Sequence, residues 1–197
     1  NIKTPFHFKN VCDLAVRALD ALLDYQDYPV VAAHLSTVKR RPLGVGIINF
    51  AYWLAKHDTT YQDPDLKLID VWAEAWSYYL IKASADLALE KGAIPGNMET
   101  KYGHGITPNM TYKKELDELI PHKERMPWKS LRKQLKKTGI RNSTLMALMP
   151  AETSAQISNS TNGIEPPRAL VSIKQSKHGI LKQVVPEYRQ LKNKYDL

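Results

Sequence analysis

Arg141 to Arg168 reads RNSTLMALMPAETSAQISNSTNGIEPPR, and the fold of the chain turns on how this stretch is read. Ser143 to Met149 are short, apolar or hydroxyl-bearing residues that suit a buried strand. Pro150 stops the run, and Glu152, Thr153 and Ser154 open a helix. A strand, a tight loop and a helix start together make a place to hold an anion. The first N–H groups of a helix have no carbonyl partner, and the aligned peptide dipoles leave partial positive charge there. A phosphate satisfies both. Thr153 and Ser154 add hydroxyl donors, while Ala151 and Ala155 are small enough for a ligand to reach the backbone. Glu152 and Glu165 have the chemistry of an acid or base. They also have structural readings, Glu152 favouring the helix dipole and Glu165 holding a turn before two prolines. From the residues alone, the loop is equally an anion site and an ordinary connection.

Working outward toward the C-terminus, Asn162-Gly163 supplies the positive φ of a tight turn and Pro166-Pro167 excludes a helix. LVSIKQSKHGILKQVV then alternates about His178-Gly179 as a β-hairpin does. Glu187 to Leu197 read as the start of a helix. Toward the N-terminus, Pro127 suits the first position of a helix that ends at Gly139 with basic residues in its last turn. Thr111 to Leu119 read as a short helix, and residues 93–110, with Pro95, Gly96, Gly103, Gly105 and Pro108, as an irregular excursion. Asp63-Pro64 begin a long helix to about Lys91, stopped by Gly92, with Trp72, Trp76 and Tyr79 in the core. Ile47 to His57 form an aromatic-rich helix after Gly44-Val45-Gly46, whose glycines suit tight packing better than a ligand loop. Residues 30–39 read as a connection. Phe8 to Asp24 form a helix with Phe8, Cys12, Ala15, Leu19 and Leu22 on its buried stripe. No boundary divides the chain, so residues 1–197 are read as a single segment.

Composition narrows the function classes. Hydrophobic residues are 43% and charged residues 24% of the chain, which suits a folded globular protein. No apolar run reaches the length of a membrane span, and NIKTPFHFKN lacks the apolar core of a signal peptide, so a cytoplasmic location is expected. A single cysteine, Cys12, fits a reducing compartment. The histidines at 7, 34, 57, 104, 122 and 178 show no metal-ligand spacing, so no metal site is expected. The net charge of +8 suits phosphorylated or polyanionic partners. Lys129, Arg132, Lys133, Lys136, Lys137 and Arg141 concentrate that charge without an intervening acid. This run is either the solvated face of a helix or a binding patch, although no aromatics interleave to stack on nucleic acid.

Four stretches together resemble one family. MPAETSAQISNSTNGIEPPR, LAVRALDALLDYQDYP (Leu14 to Pro29), RRPLGVGIINFAYWLAKH (Arg40 to His57) and VSIKQSKHGILKQVVPEY (Val171 to Tyr188) are similar to the large, catalytic subunit of class I ribonucleotide reductase, in its order. The resemblance implies a helix-rich α/β fold, part of that subunit's ten-stranded α/β barrel. It implies that Pro150, Ala151, Glu152, Thr153 and Ser154, within a loop near 149–156, receive the diphosphate of a ribonucleoside diphosphate through backbone N–H groups. In the family a cysteine thiyl radical takes the ribose 3′-hydrogen and a cysteine pair supplies electrons. By the family's order those cysteines lie outside these residues, and Cys12 occupies a position the family does not use. The implied partners are the remaining portion of the large subunit, a radical-generating small subunit and a dithiol reductant, with nucleoside triphosphate effectors bound elsewhere. The segment itself is expected to hold no cofactor and to be inactive alone. The alternative is a non-catalytic basic module that binds nucleic acid or a protein partner.

Overall fold

Apolar periodicity builds the first half of the chain around one long helix. The structure, a computed structural model, describes residues 2–177 and 179–197. After a 3-10 turn at Pro5–His7, α1 (Phe8–Tyr25) packs along α4 (Leu66–Lys91), which also carries α5 (Trp128–Thr138). The C-terminal half of α4 is buried nearly all round, through Ala75, Tyr78, Leu80, Ile81, Ala83, Ser84, Ala85, Leu87 and Ala88. Small residues alternate with large ones here, so neighbouring helices approach closely without voids. Trp128 meets Tyr78 edge-on at 5.2 Å, and Phe8 meets Trp72 edge-on at 5.8 Å. Trp72, Trp76 and Tyr79 pack against this core, as their pattern suggests.

The buried line of α1 departs from the expected stripe. Phe8, Cys12, Val16 and Asp20 are buried, whereas Ala15 and Leu19 are half-buried and Leu22 is exposed. A carboxylate replaces an apolar residue at the end of the line because it is fully partnered. Asp20 Oδ1 accepts Arg41 Nε at 2.6 Å and Asn142 Nδ2 at 3.0 Å, and Arg141 Nε approaches Oδ2 at 3.3 Å. Asn142 in turn accepts the Ser84 hydroxyl at 2.8 Å. Burial alone would raise the Asp20 carboxyl, but the two guanidinium groups and the amide hold it below the usual carboxylate range.

Residues 30–39, expected to be a connection, are helical: α2 spans Val31–Arg40 and ends on Arg41, in the left-handed region with φ 42°. Val31, Leu35 and Val38 do stand at helical spacing, but the stripe is short, its residues are exposed, and no side chain caps the helix start at Val30. Thr111 to Leu119, expected to be a helix, hold only the 3-10 turn Lys114–Glu118, which follows another at Pro108–Met110, because no buried apolar face there rewards a full α-helical turn. The expected strand at 143–149 is reduced to one parallel bridge, Val45↔Met146, beside the bonds Leu43 N to Thr144 O and Val45 N to Leu145 O. Two parallel segments without further neighbours do not extend into regular strands. Glu74 organises the entry to α5: its carboxylate accepts the N–H groups of Arg125 and Met126 and the Trp128 indole at 2.7 to 3.0 Å.

The described residues form two compact units, one made of the chain up to Val45 with Leu66–Met146, the other of Gly46–Asp65 with Ala147–Leu197. The second holds α3 (Phe50–Lys56), α6 (Glu152–Ile157), the antiparallel strands β1 (Val171–Ser176) and β2 (Gly179–Val184), and α7 (Tyr188–Leu191). Its core gathers Ala51, Ala55, Val185, Leu191 and Tyr195. The hairpin pairs from Val171↔Val184 to Ser176↔Gly179, as the alternation suggests, while His178 of its expected turn lies outside the described residues. Helix dominates, and β1-β2 is the one regular sheet among the described residues, a helix-rich α/β chain. Among them no helix is long and apolar enough to cross a membrane.

Candidate functional site

Pro150 ends the extended chain and Ala151, at φ −130° and ψ 40°, is the last residue before α6. The first bond of α6 runs from Ala155 N to Ala151 O at 2.8 Å, so the N–H groups of Glu152, Thr153 and Ser154 precede the ladder. The five expected site residues therefore differ in what they offer. Pro150 has no N–H. The Ala151 N–H is already given to Asn162 Oδ1 at 2.7 Å. Glu152, Thr153 and Ser154 are exposed, with Ala155 buried behind them as the anchor of the turn. With six residues, α6 has only a small dipole, so what this end offers is its N–H donors rather than a macrodipole.

The loop is held from behind by the turn at 159–163. Asn49, at φ 68°, ends the approach to α3 and grips this turn from both sides of its peptide. Its N–H donates to Thr161 O at 2.9 Å, and its Oδ1 accepts Thr161 N–H at 2.9 Å. Phe50 N adds a bond to Gly163 O at 3.3 Å, and Gly163 has the positive φ expected of it, 48°. The same turn presents Asn162 to Ala151. Close packing explains the second glycine of Gly44-Val45-Gly46: a Cβ on Gly46 would lie 2.5 Å from Ala147 O and 2.7 Å from Met149 Sδ. Neither the Asn49 grip nor the role of Asn162 as an acceptor was readable from turn chemistry alone. An asparagine directly before an aromatic helix was the available signal.

Charge near the loop is mixed. Glu152 would repel a phosphate, but Lys174 on β1 lies 3.5 Å from its carboxylate. Both side chains are well solvated, so this pairing is weak. A cleft of about 590 Å³ opens beyond the far end of α6, lined by Gln156, Asn159, Lys182, Gln183, Glu187 and Arg189 among others. None of the five expected site residues lines it. Glu187 is bonded by the Tyr52 hydroxyl at 2.7 Å and by Lys56 at 2.9 Å, which together hold its carboxyl below the usual range.

Cys12 belongs to the other unit, on the α1 line against α4. It is 2% exposed, and burial pushes its thiol up to about 12. A thiol in that state supplies almost no thiolate. Among the described residues no three His, Cys, Asp or Glu side chains gather as a metal cage.

Comparison with known proteins agrees with this architecture. A family model described as the barrel domain of ribonucleotide reductase matches residues 4–196, across both units. The chain is 59% identical over 184 residues to a ribonucleoside-diphosphate reductase subunit alpha of Haemophilus influenzae, covering 93% of this chain and 24% of that protein. It is 58% identical over 176 residues to the ribonucleoside-diphosphate reductase 1 subunit alpha of Escherichia coli, covering 89% of this chain and 23% of the relative. Against the subunit alpha of Enterobacteria phage T4 the identity is 48% over 186 residues, 94% of this chain and 24% of the relative. The chain spans about a quarter of the length of the curated relatives it matches. With the family model matched along almost its whole length, the chain belongs to the ribonucleotide reductase barrel-domain family.

Proposed function

We propose that this chain is the portion of a ribonucleoside-diphosphate reductase alpha subunit that receives the substrate's diphosphate, at the loop Pro150, Ala151, Glu152, Thr153 and Ser154. The observation that carries the reading is the family match over residues 4–196. The exposed N–H groups of Glu152, Thr153 and Ser154 support the placement, with Pro150 and Ala151 shaping the approach. The chain's own residues bind and orient; it has one thiol, whereas the reduction needs a radical-forming thiol and two more that become a disulfide. Those thiols come from the remaining portion of the subunit. The radical comes from a small subunit, the electrons from a dithiol reductant, and the assembly works in the cytoplasm on the route to deoxyribonucleotides. Nucleoside triphosphate effectors bind outside this segment, which holds no cofactor of its own.

The test is substrate affinity in the enzyme assembled from this chain, the remaining portion and the small subunit. Ser154→Ala weakens diphosphate binding by about 0.5 to 1.5 kcal/mol, the net value of one hydrogen bond. Thr153→Pro weakens it further, because it removes an N–H donor at a position where proline fits the helix start. An assembled Thr153→Pro enzyme with unchanged substrate affinity would remove the backbone-donor account.

A further inference from the structure

The basic surplus that the substrate loop leaves unused is concentrated on α5. Lys129, Lys133 and Lys136 stand at i, i+4 and i+7, so they share one face, and about 10 Å of helix separates the first from the last. Together with Arg132, His104, Gly105, Ile106 and Met110 they line a cleft of about 350 Å³. Arg132 is answered by Glu124, through paired bonds of 2.7 and 3.0 Å. The three lysines are exposed and have no ion-pair partner among the described residues.

Apart from His104, the rest of the lining is apolar: Gly105, Ile106 and Met110. Gly105 has φ 70°, and a Cβ there would meet Lys136 Cε at 2.7 Å and Arg132 O at 3.2 Å. The lysine stem therefore lies directly over that backbone. Ile106 is half-buried and Met110 is 49% exposed, giving a soft apolar floor beside three uncompensated cations.

We propose that this cleft docks an acidic polypeptide segment, whose apolar side chain seats on Ile106 and Met110 while its carboxylates pair with Lys129, Lys133 and Lys136. The span of the three ammonium groups matches three or four extended residues. A nucleic acid fits the same charge but not the same surface. No Phe, Tyr or Trp lines the cleft to stack on bases, and an apolar floor does nothing for a phosphate backbone. The inference is independent of the substrate-loop reading, because it concerns different residues and a different ligand.

Fluorescence anisotropy with the 197-residue chain tests it, using three labelled probes. These are a ten-residue peptide of glutamate and aspartate with one central leucine, the same peptide with serine in place of leucine, and a single-stranded oligonucleotide of about twenty bases. The leucine peptide is expected to bind in a salt-dependent manner and more tightly than either other probe. Lys129→Glu with Lys133→Glu weakens that binding by at least about tenfold, since two attractions become repulsions. Lys133→Gln gives an intermediate loss. Lys137→Glu, which changes net charge outside the cleft, stays within about twofold of the parent. These lysines are exposed, so matching circular dichroism spectra are expected throughout. Absence of binding by the leucine peptide, equal binding by the serine peptide, tighter binding of the oligonucleotide, or insensitivity to the double reversal would each overturn the proposal.

Discussion

Asp20 shows how much a single buried charge decides. With Arg41 4% exposed beside it, loss of the carboxylate leaves a guanidinium buried with only Asp24 and backbone to answer it. Asp20→Asn is therefore expected to cost about 3 to 5 kcal/mol in urea unfolding. The pH dependence has a definite sign. The folded carboxyl lies below its unfolded value of about 3.9, so its contribution is complete above that pH and is lost as pH falls through the folded value. Parent and Asp20→Asn stability curves should accordingly converge in acid; parallel curves below pH 4 would show that Asp20 does not supply the acid sensitivity. Cys12 makes the opposite case, a reactive residue silenced by its surroundings. Cys12→Ser should lower stability by about 1 to 3 kcal/mol through the buried hydroxyl and leave turnover of the assembled enzyme unchanged. Loss of turnover in a folded, assembled Cys12→Ser enzyme would assign the thiol a part in the chemistry. The sequence placed Cys12 correctly because apolar spacing locates it. It left Asp20 off the buried stripe, because apolar spacing passes over a carboxylate and cannot see an arginine twenty-one positions away.

At the level of elements, the grip of Asn49 on the turn at 159–163 supports the loop before α6. Asn49→Ala removes the acceptor for the Thr161 N–H and forces alanine into the left-handed region, a combined cost of about 2 to 3 kcal/mol. Hydrogen exchange at the Ala151 and Thr161 amides should accelerate together, since Asn162 ties them to one turn. Acceleration at Thr161 alone would separate the turn from the loop. Elements with an apolar face or a strong stop signal were legible: α1, α4 and α5 start and end close to where periodicity, Pro127, Gly92 and Gly139 place them. The helix α2 was not: its stripe of Val31, Leu35 and Val38 is short, no capping side chain marks its start, and its end is fixed by the strained Arg41 cap rather than by glycine. The strand at 143–149 failed for the reverse reason. Its residues have strand character, but one parallel bridge is all that the neighbouring segment provides. The loop's position was legible from Pro150 and the hydroxyl residues, while its unequal donors depended on where Asn162 lies in space.

For the molecule as a whole, apolar surface remains outward in both units. On α1, Leu14 and Tyr25 are 70% and 87% exposed; on the hairpin, Ile173 and Ile180 are 70% and 72% exposed, and Ile157 at the end of α6 is 85% exposed. Surface of this kind marks contact with further protein. The isolated chain should self-associate in sedimentation velocity as its concentration rises, and do so less when the remaining portion of the subunit is supplied. A compact monomer across the whole concentration range would show that these faces need no cover. The division of the chain adds a constraint in time. Gly46–Asp65 belong with Ala147–Leu197, yet about eighty residues separate the two pieces. Its core partners Val185, Leu191 and Tyr195 lie about 130 residues beyond α3, so at ribosomal speeds of roughly 5 to 20 residues per second the segment bearing α3 waits on the order of 6 to 26 s for them. The unit that bears the candidate loop is thus the later of the two to close, and the face of α3 with Ala51, Tyr52 and Ala55 is a surface for chaperones to shield in that interval.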